Sequence, residues 1–198
     1  MKNKNRENWC QCYLTDRNLF QLLDKCDNEM AEQCRHAGCH HCPGVLHRSD
    51  YKRKPRGEPK SDKDVYRDSF CCDQEGCRKR HTPPSIRFLG RKVYWAVVVI
   101  LTAALRHGIN GRRLQVLRGH LEIDRRTLER WRQWWLDTFV NSEFWKSARA
   151  RFTPPVCEAT LPLSLCEAFD LDRQDRLLEL LKFLGPVTTP SLPWSRGF

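Results

Sequence analysis

The sequence predicts a mainly α protein with one small β ribbon that carries most of its cysteines. Its parts in order are an N-terminal helix, the ribbon, a helix-turn-helix bundle and a short C-terminal helical unit. Three observations predict this. Apolar residues recur at helical spacing on both sides of residues 34–81. Residues 34–81 themselves lack long periodicity and are rich in Gly, Pro and charge. Within them two cysteine hooks share one pattern, Cys34-Arg35-His36-Ala37-Gly38-Cys39 and Cys72-Asp73-Gln74-Glu75-Gly76-Cys77.

Two such hooks can supply four thiolates to one tetrahedral Zn2+, and a small core is often held by such a staple. The fold class is therefore mainly α with a small β zinc ribbon, and the expected ligands are Cys34, Cys39, Cys72 and Cys77. The Gly before each second cysteine permits the tight turn that closes a hook. Spare donors sit nearby in Cys42, Cys71, His40, His41 and His81, and Cys39-His40-His41-Cys42 is itself a two-residue hook. One of these could displace a member of the four. A four-thiolate site leaves no open position for water, and no His-Glu-x-x-His pattern occurs. The expected role of the metal is structural and the protein is expected not to be an enzyme. Cys26, Cys157 and Cys166 read as small buried apolar residues, and Cys10 and Cys12 have no assigned role.

The elements follow in order. Leu19, Leu22, Leu23, Cys26 and Met30 mark an amphipathic helix over 16–33, capped by Asp16. Short strands are expected near Val45–Tyr51 and Val65–Cys71, with the polar insert Lys52–Asp64 as a loop. Pro83-Pro84 closes the ribbon. From Gly90 onward Val93, Val97, Ile100, Leu101, Ala104 and Leu105 form the buried stripe of a helix that Gly108 stops. Asn110 begins a second helix to about Leu121, and Asp124 a third to about Phe139. A fourth covers Ser142–Arg151. The C-terminal unit has helices at Leu163–Phe169 and Arg173–Leu184, closed by Gly185-Pro186, and a loose tail from Val187. The domain boundaries are thus 1–33, 34–84, 85–152 and 153–198.

On the third helix Leu128, Trp131, Trp135 and Phe139 share one face, while Arg126, Arg130 and Gln133 lie opposite. Arg and Gln suit guanine and adenine edges in the major groove. Arg112, Arg113 and Arg118 on the preceding helix would reach phosphates, and Arg125 joins the expected DNA-binding set. The plainer reading is a helical hairpin with a solvated basic face. Charge favours a polyanion. The net charge is +11, with 15 basic against 7 acidic side chains over 34–92 and 11 against 5 over 93–152.

The 11 cysteines are an odd, clustered set, the opening residues carry no apolar leader, and 40% of residues are hydrophobic. These features point away from a disulfide framework and from a disordered chain. The longest apolar run, Val93–Leu105, is shorter than the ~20 residues a spanning helix needs. No membrane partner is expected, and the location is expected to be cytoplasmic and nucleoid-associated.

The order of these parts, with the exit segment Cys77-Arg78-Lys79-Arg80-His81-Thr82-Pro83-Pro84-Ser85 and then Phe88-Leu89-Gly90-Arg91-Lys92, resembles the DNA-binding half of zinc-ribbon transposases encoded by bacterial insertion sequences. It also looks like short bacterial proteins that keep this half alone. The resemblance spans roughly residues 30–140. It implies binding of double-stranded DNA by an accessory or targeting factor of a mobile element in transposition or recombination. It places Cys34, Cys39, Cys72 and Cys77 at ligand positions, Asp124–Trp135 in the recognition role, and Arg78, Lys79, Arg80, Arg91 and Lys92 in the basic surface. The catalytic half of such transposases has no counterpart in the residues after Phe152. A partner recombinase or transposase, or a homodimer through the C-terminal leucines, would complete the assembly. A stand-alone transcription regulator and a zinc-stapled protein–protein adaptor are the alternative functions.

Overall fold

The computed structural model describes residues 17–53, 65–89, 94–100, 125–170 and 174–189. Within them the chain opens on α1, Arg17–Ala37. Leu19, Leu23, Asp27 and Ala31 recur every fourth residue and are each at most 1% exposed. Leu19, Leu23 and Cys26 enter the large core, whereas Ala31 enters a separate small core with Leu46, Phe70 and Cys72. One helix therefore seats two cores. It also runs past the expected end at residue 33, which places Cys34 inside the helix.

The ribbon follows. β1 (Leu46–Arg48) pairs antiparallel with β4 (Phe70–Cys72), and β2 (Tyr51–Arg53) with β3 (Val65–Arg67). The register from Leu46↔Cys72 to Arg53↔Val65 never slips. The four strands are thus one long two-stranded ribbon, kinked once at 49–50 and 68–69. At the kink Ser49 N donates to Ser69 O at 2.8 Å, and the Asp50 carboxylate takes the Ser69 N–H at 2.9 Å. β5 (Arg80–His81) adds to β4 and makes a three-stranded sheet of order β1-β4-β5. The expected strands are present, each divided by the kink. Residues 54–64 lie outside the described residues.

The expected helix from Gly90 begins later. β6 (Phe88–Leu89) first pairs with β7 (Tyr94–Trp95), and helical structure starts at Ala96. The pairing of Phe88 with Trp95 buries both rings. Ala96 to Ile100 are buried at every position, as in a helix enclosed on all sides rather than one with a single apolar stripe. Residues 101–124, and with them the expected second helix, lie outside the described residues.

α2 (Arg125–Gln133) buries Leu128 and Trp131 as expected. It then widens into a π-helical turn, Trp134–Phe139. The extra residue per turn brings Trp134 to the core beside Trp135 and Phe139, with ring centroids 4.9 and 5.4 Å away. Ser142 caps α3 (Glu143–Ala148) by accepting the Trp145 N–H at 3.1 Å. α4 (Leu163–Ala168) and α5 (Gln174–Leu184) complete the helices. Leu177, Leu180, Leu181 and Leu184 of α5 are each at most 2% exposed within the single chain. They serve the local core. The tail expected to be loose from Val187 is anchored at its start. Val187 is buried, and Thr188 Oγ1 accepts the Ser85 N–H at 2.8 Å.

A buried ionic hub joins these parts. Arg87 Nε donates to Asp27 Oδ2 at 2.8 Å, Nη2 to Asp68 Oδ2 at 3.2 Å and to Tyr66 O at 3.0 Å, and Nη1 to Asp24. Asp27 also accepts Ser85 Oγ at 2.5 Å and Ile86 N at 2.7 Å. Burial pushes the Asp68 carboxyl up, against the pull of Arg87. α1, the ribbon kink and the segment leading to β6 thus meet at one guanidinium. Removing one partner of a buried pair strands the others. Arg87→Ala is expected to lower unfolding stability by about 3–5 kcal/mol in denaturant titration. A loss below about 1 kcal/mol would place the hub in the range of an exposed ion pair.

Candidate metal centre

The first hook is set by the end of α1. Gly38, at φ +74°, turns the chain out of the helix, and its N–H bonds Arg35 O at 3.2 Å. Cys39, His40, His41 and Cys42 follow, then Pro43-Gly44. Cys39 N donates to Gly44 O at 3.3 Å and closes the loop. A Cβ on Gly44 would stand 2.6 Å from Cys72 Sγ and 2.9 Å from Asp73 Oδ1, so only glycine fits between the hooks. The second hook leaves β4. Cys77 N and Arg78 N both bond Gln74 O, at 3.1 and 3.2 Å, and Gly76 supplies φ +84°. Val45 N to Asp73 Oδ1 at 2.8 Å ties one hook to the other.

These turns gather Cys39, Cys42, Cys72 and Cys77, whose sulfurs all lie within 4.8 Å of one another. Cys39 and Cys77 are 3.7 Å apart, Cys42 and Cys72 3.4 Å. A tetrahedral ion with metal–sulfur bonds of about 2.3 Å has sulfur–sulfur edges of about 3.8 Å. The four cysteines can therefore hold a metal ion with little adjustment. Cys72 is fully buried and its thiol is pushed up to about 12, first by that burial. At Cys39 burial also acts upward, but bonds from the His41 amide, His81 and the neighbouring thiols outweigh it and hold the thiol at about 6. Four sulfurs this close cannot all be anionic alone. A cation among them supplies the charge that makes them so. His81, on β5, puts Nε2 3.3 Å from Cys39 Sγ, and its ring packs edge-on against His40.

The cluster corrects the set read from sequence at one position. Cys42 takes the place of Cys34, which is held within the last turns of α1 where burial pushes its thiol up. The signal was the two-residue hook Cys39–Cys42 followed by Pro-Gly. Cys71 points away from the cluster and reaches Arg78 O at 3.5 Å. Cys26 and Cys166 are buried as expected, but Cys157 is exposed, and a hydrogen bond from Thr160 is the first cause lowering its thiol.

The residues expected to meet DNA fall in two groups. Arg78, Lys79 and Arg80 are exposed beside the second hook, and Arg125, Arg126, Arg130 and Gln133 are exposed on α2. Arg125 is paired with Glu129 at 2.9 Å, and Arg130 donates to Thr127 Oγ1 at 3.2 Å. Arg91, Lys92, Arg112, Arg113 and Arg118 lie outside the described residues. The Arg87–Asp27 hub escaped the sequence reading. Its trace there is an acid on the buried stripe of α1, four residues from Leu23. Among the described residues no helix is long and apolar enough to cross a membrane. No family model, curated protein or solved structure matches the chain.

Cys42→Ser is expected to lose the bound metal and Cys34→Ser to keep it, read by native mass spectrometry. The opposite result would restore Cys34 to the ligand set. Bound thiolates must shed their protons, so a buried thiol at about 12 gives it up only to the metal. Apparent affinity in a chelator competition is therefore expected to rise with pH between about 6 and about 8. A flat profile would count against four thiolate ligands.

Proposed function

We propose that the chain is a non-enzymatic, zinc-stapled DNA-binding protein, with β1, β4 and β5 and the two cysteine hooks forming a zinc ribbon. Zinc is favoured over other ions by an all-sulfur, four-donor set. The staple would be structural, since four protein ligands leave it closed. The observation that carries the DNA reading is the pattern of ion pairing around the cluster. Arg53, Arg78, Lys79 and Arg80 face no carboxylate among the described residues, whereas Arg35, Arg48 and Arg87 each do. Unneutralised cations clustered on one module suit a polyanion that releases counterions when bound.

The exposed side of α2, with Arg126, Arg130, Arg132 and Gln133, is the second candidate surface and would read base edges if it acts as a recognition helix. A role as accessory or targeting factor in the transposition or recombination of a mobile element rests on the resemblance of the motif order. The partner would be a recombinase or transposase. The test is salt-dependent binding to duplex DNA. With four or more phosphate contacts, affinity is expected to fall roughly a hundredfold between about 50 and about 200 mM salt. Weak or salt-independent binding would favour the protein–protein adaptor instead.

A further inference from the structure

At the ribbon kink one arginine is held rigidly without a counter-ion among the described residues. Arg80 Nη1 donates to Ser49 O at 3.2 Å and to Ser69 Oγ at 3.1 Å, and Nη2 donates to Ser49 Oγ at 3.1 Å. Every one of these acceptors is neutral. The carboxylates closest to the kink are already engaged. Asp50 takes Arg48 at 3.1 Å and the Ser69 amide, and Asp68 takes Arg87 at 3.2 Å. Arg80 then extends along the ribbon to the ring of Tyr51, with its Cζ 5.7 Å from the centroid. Arg53 stacks on the same ring at 4.4 Å.

Two guanidinium groups on one aromatic ring, neither opposed by an acid among the described residues, are an arrangement that repels itself. The Arg53 side chain makes no hydrogen bond among the described residues, and a neutral side chain could cover Tyr51 as well. An anion between or across the two groups removes the repulsion. The arginine fork matches phosphate oxygens in geometry. Because Arg80 is already fixed by three bonds, little side-chain entropy remains to be lost on binding.

We infer that Arg80 and Arg53, gathered on Tyr51 at the ribbon kink, form a phosphate-binding subsite that takes a phosphodiester of the nucleic-acid backbone. This deepens the DNA-binding reading and rests on it for the source of the phosphate. The subsite contacts backbone and not bases. It positions the ribbon on the duplex and leaves sequence discrimination to other residues.

The experiment uses the zinc-loaded full chain, with Arg53→Ala, Arg80→Ala and, as a charge control, Arg176→Ala, whose side chain pairs with Glu179 on α5 at 2.8 Å. Metal content and melting temperature report folding. The Arg53 side chain has no hydrogen bond among the described residues, so its variant keeps the test valid even if Arg80→Ala fails to fold. Binding to a random-sequence duplex is followed against salt. Each ribbon variant is expected to bind roughly tenfold or more weakly and to reduce the slope of log affinity against log salt by about 1, while Arg176→Ala keeps both. Wild-type affinity and slope in both ribbon variants would overturn the subsite. A second arm titrates inorganic phosphate and follows the arginine Nε–H signals by NMR. Were the wild type to bind no duplex, the DNA-binding reading would fall. Phosphate-dependent shifts at Arg80 and Arg53 would then still support the anion subsite, and their absence would overturn it.

Discussion

The carboxylate of Asp27 has no access to water, and the architecture is arranged around satisfying it. It accepts from the Ser85 hydroxyl, the Ile86 amide and the Arg87 guanidinium, which all belong to one short stretch of chain. That stretch is where the ribbon gives way to β6 and the enclosed helix from Ala96. A buried acid with fewer donors would be strongly unfavourable, so the exit segment cannot slide along α1 without a large penalty. Arg87 carries the same constraint onward to Asp68 at the ribbon kink. The direction in which the ribbon leaves the helical core is thereby set by charge geometry and hydrogen bonding rather than by apolar packing alone.

The metal cluster answers a different need. The small core consists of Ala31, Leu46, Phe70 and Cys72 with the other cysteines against it, too little apolar area to order two hooks and a sheet. A metal ion held by the four cysteines would fill that gap. The two devices act at opposite ends of the same strands, with the cysteines at the Leu46↔Cys72 end and the hub past the kink. α1 touches both. Along the same ribbon lie Arg53 and Arg80, which face no carboxylate among the described residues.

Much of this was legible in the sequence because periodic patterns and metal hooks are local signals. α1, the two halves of the ribbon, α3, α4 and α5 were placed within a few residues by apolar spacing and caps. Gly38 and Gly76 do adopt the left-handed conformation that the hooks require. Cys34 misled because the longer hook repeats the spacing of Cys72–Cys77, whereas Cys34 belongs to α1 and falls outside the group of four close sulfurs. Spacing cannot say where a helix stops, and α1 runs on to Ala37, with Glu32 pairing both Arg35 and Arg48 near its end. The β6–β7 pairing was missed because two-residue strands have no period to read. The hub is invisible to any local pattern, since its members lie about twenty to sixty positions apart.

The π turn after α2 holds one residue more than an α-helix of the same rise would need. An α-helix rotates about 100° per residue. Tightening the same six residues to α-helical pitch would therefore swing everything beyond them about 100° around the axis, carrying Trp145 away from Phe139 and its indole N–H away from Glu158. The wide turn thus works as a phase setting for the second half of the chain. A single-residue deletion there would be absorbed by a return to regular helix with that phase kept. A change of pitch without a change of length would leave composition untouched, yet would disconnect the C-terminal helices from the core they complete.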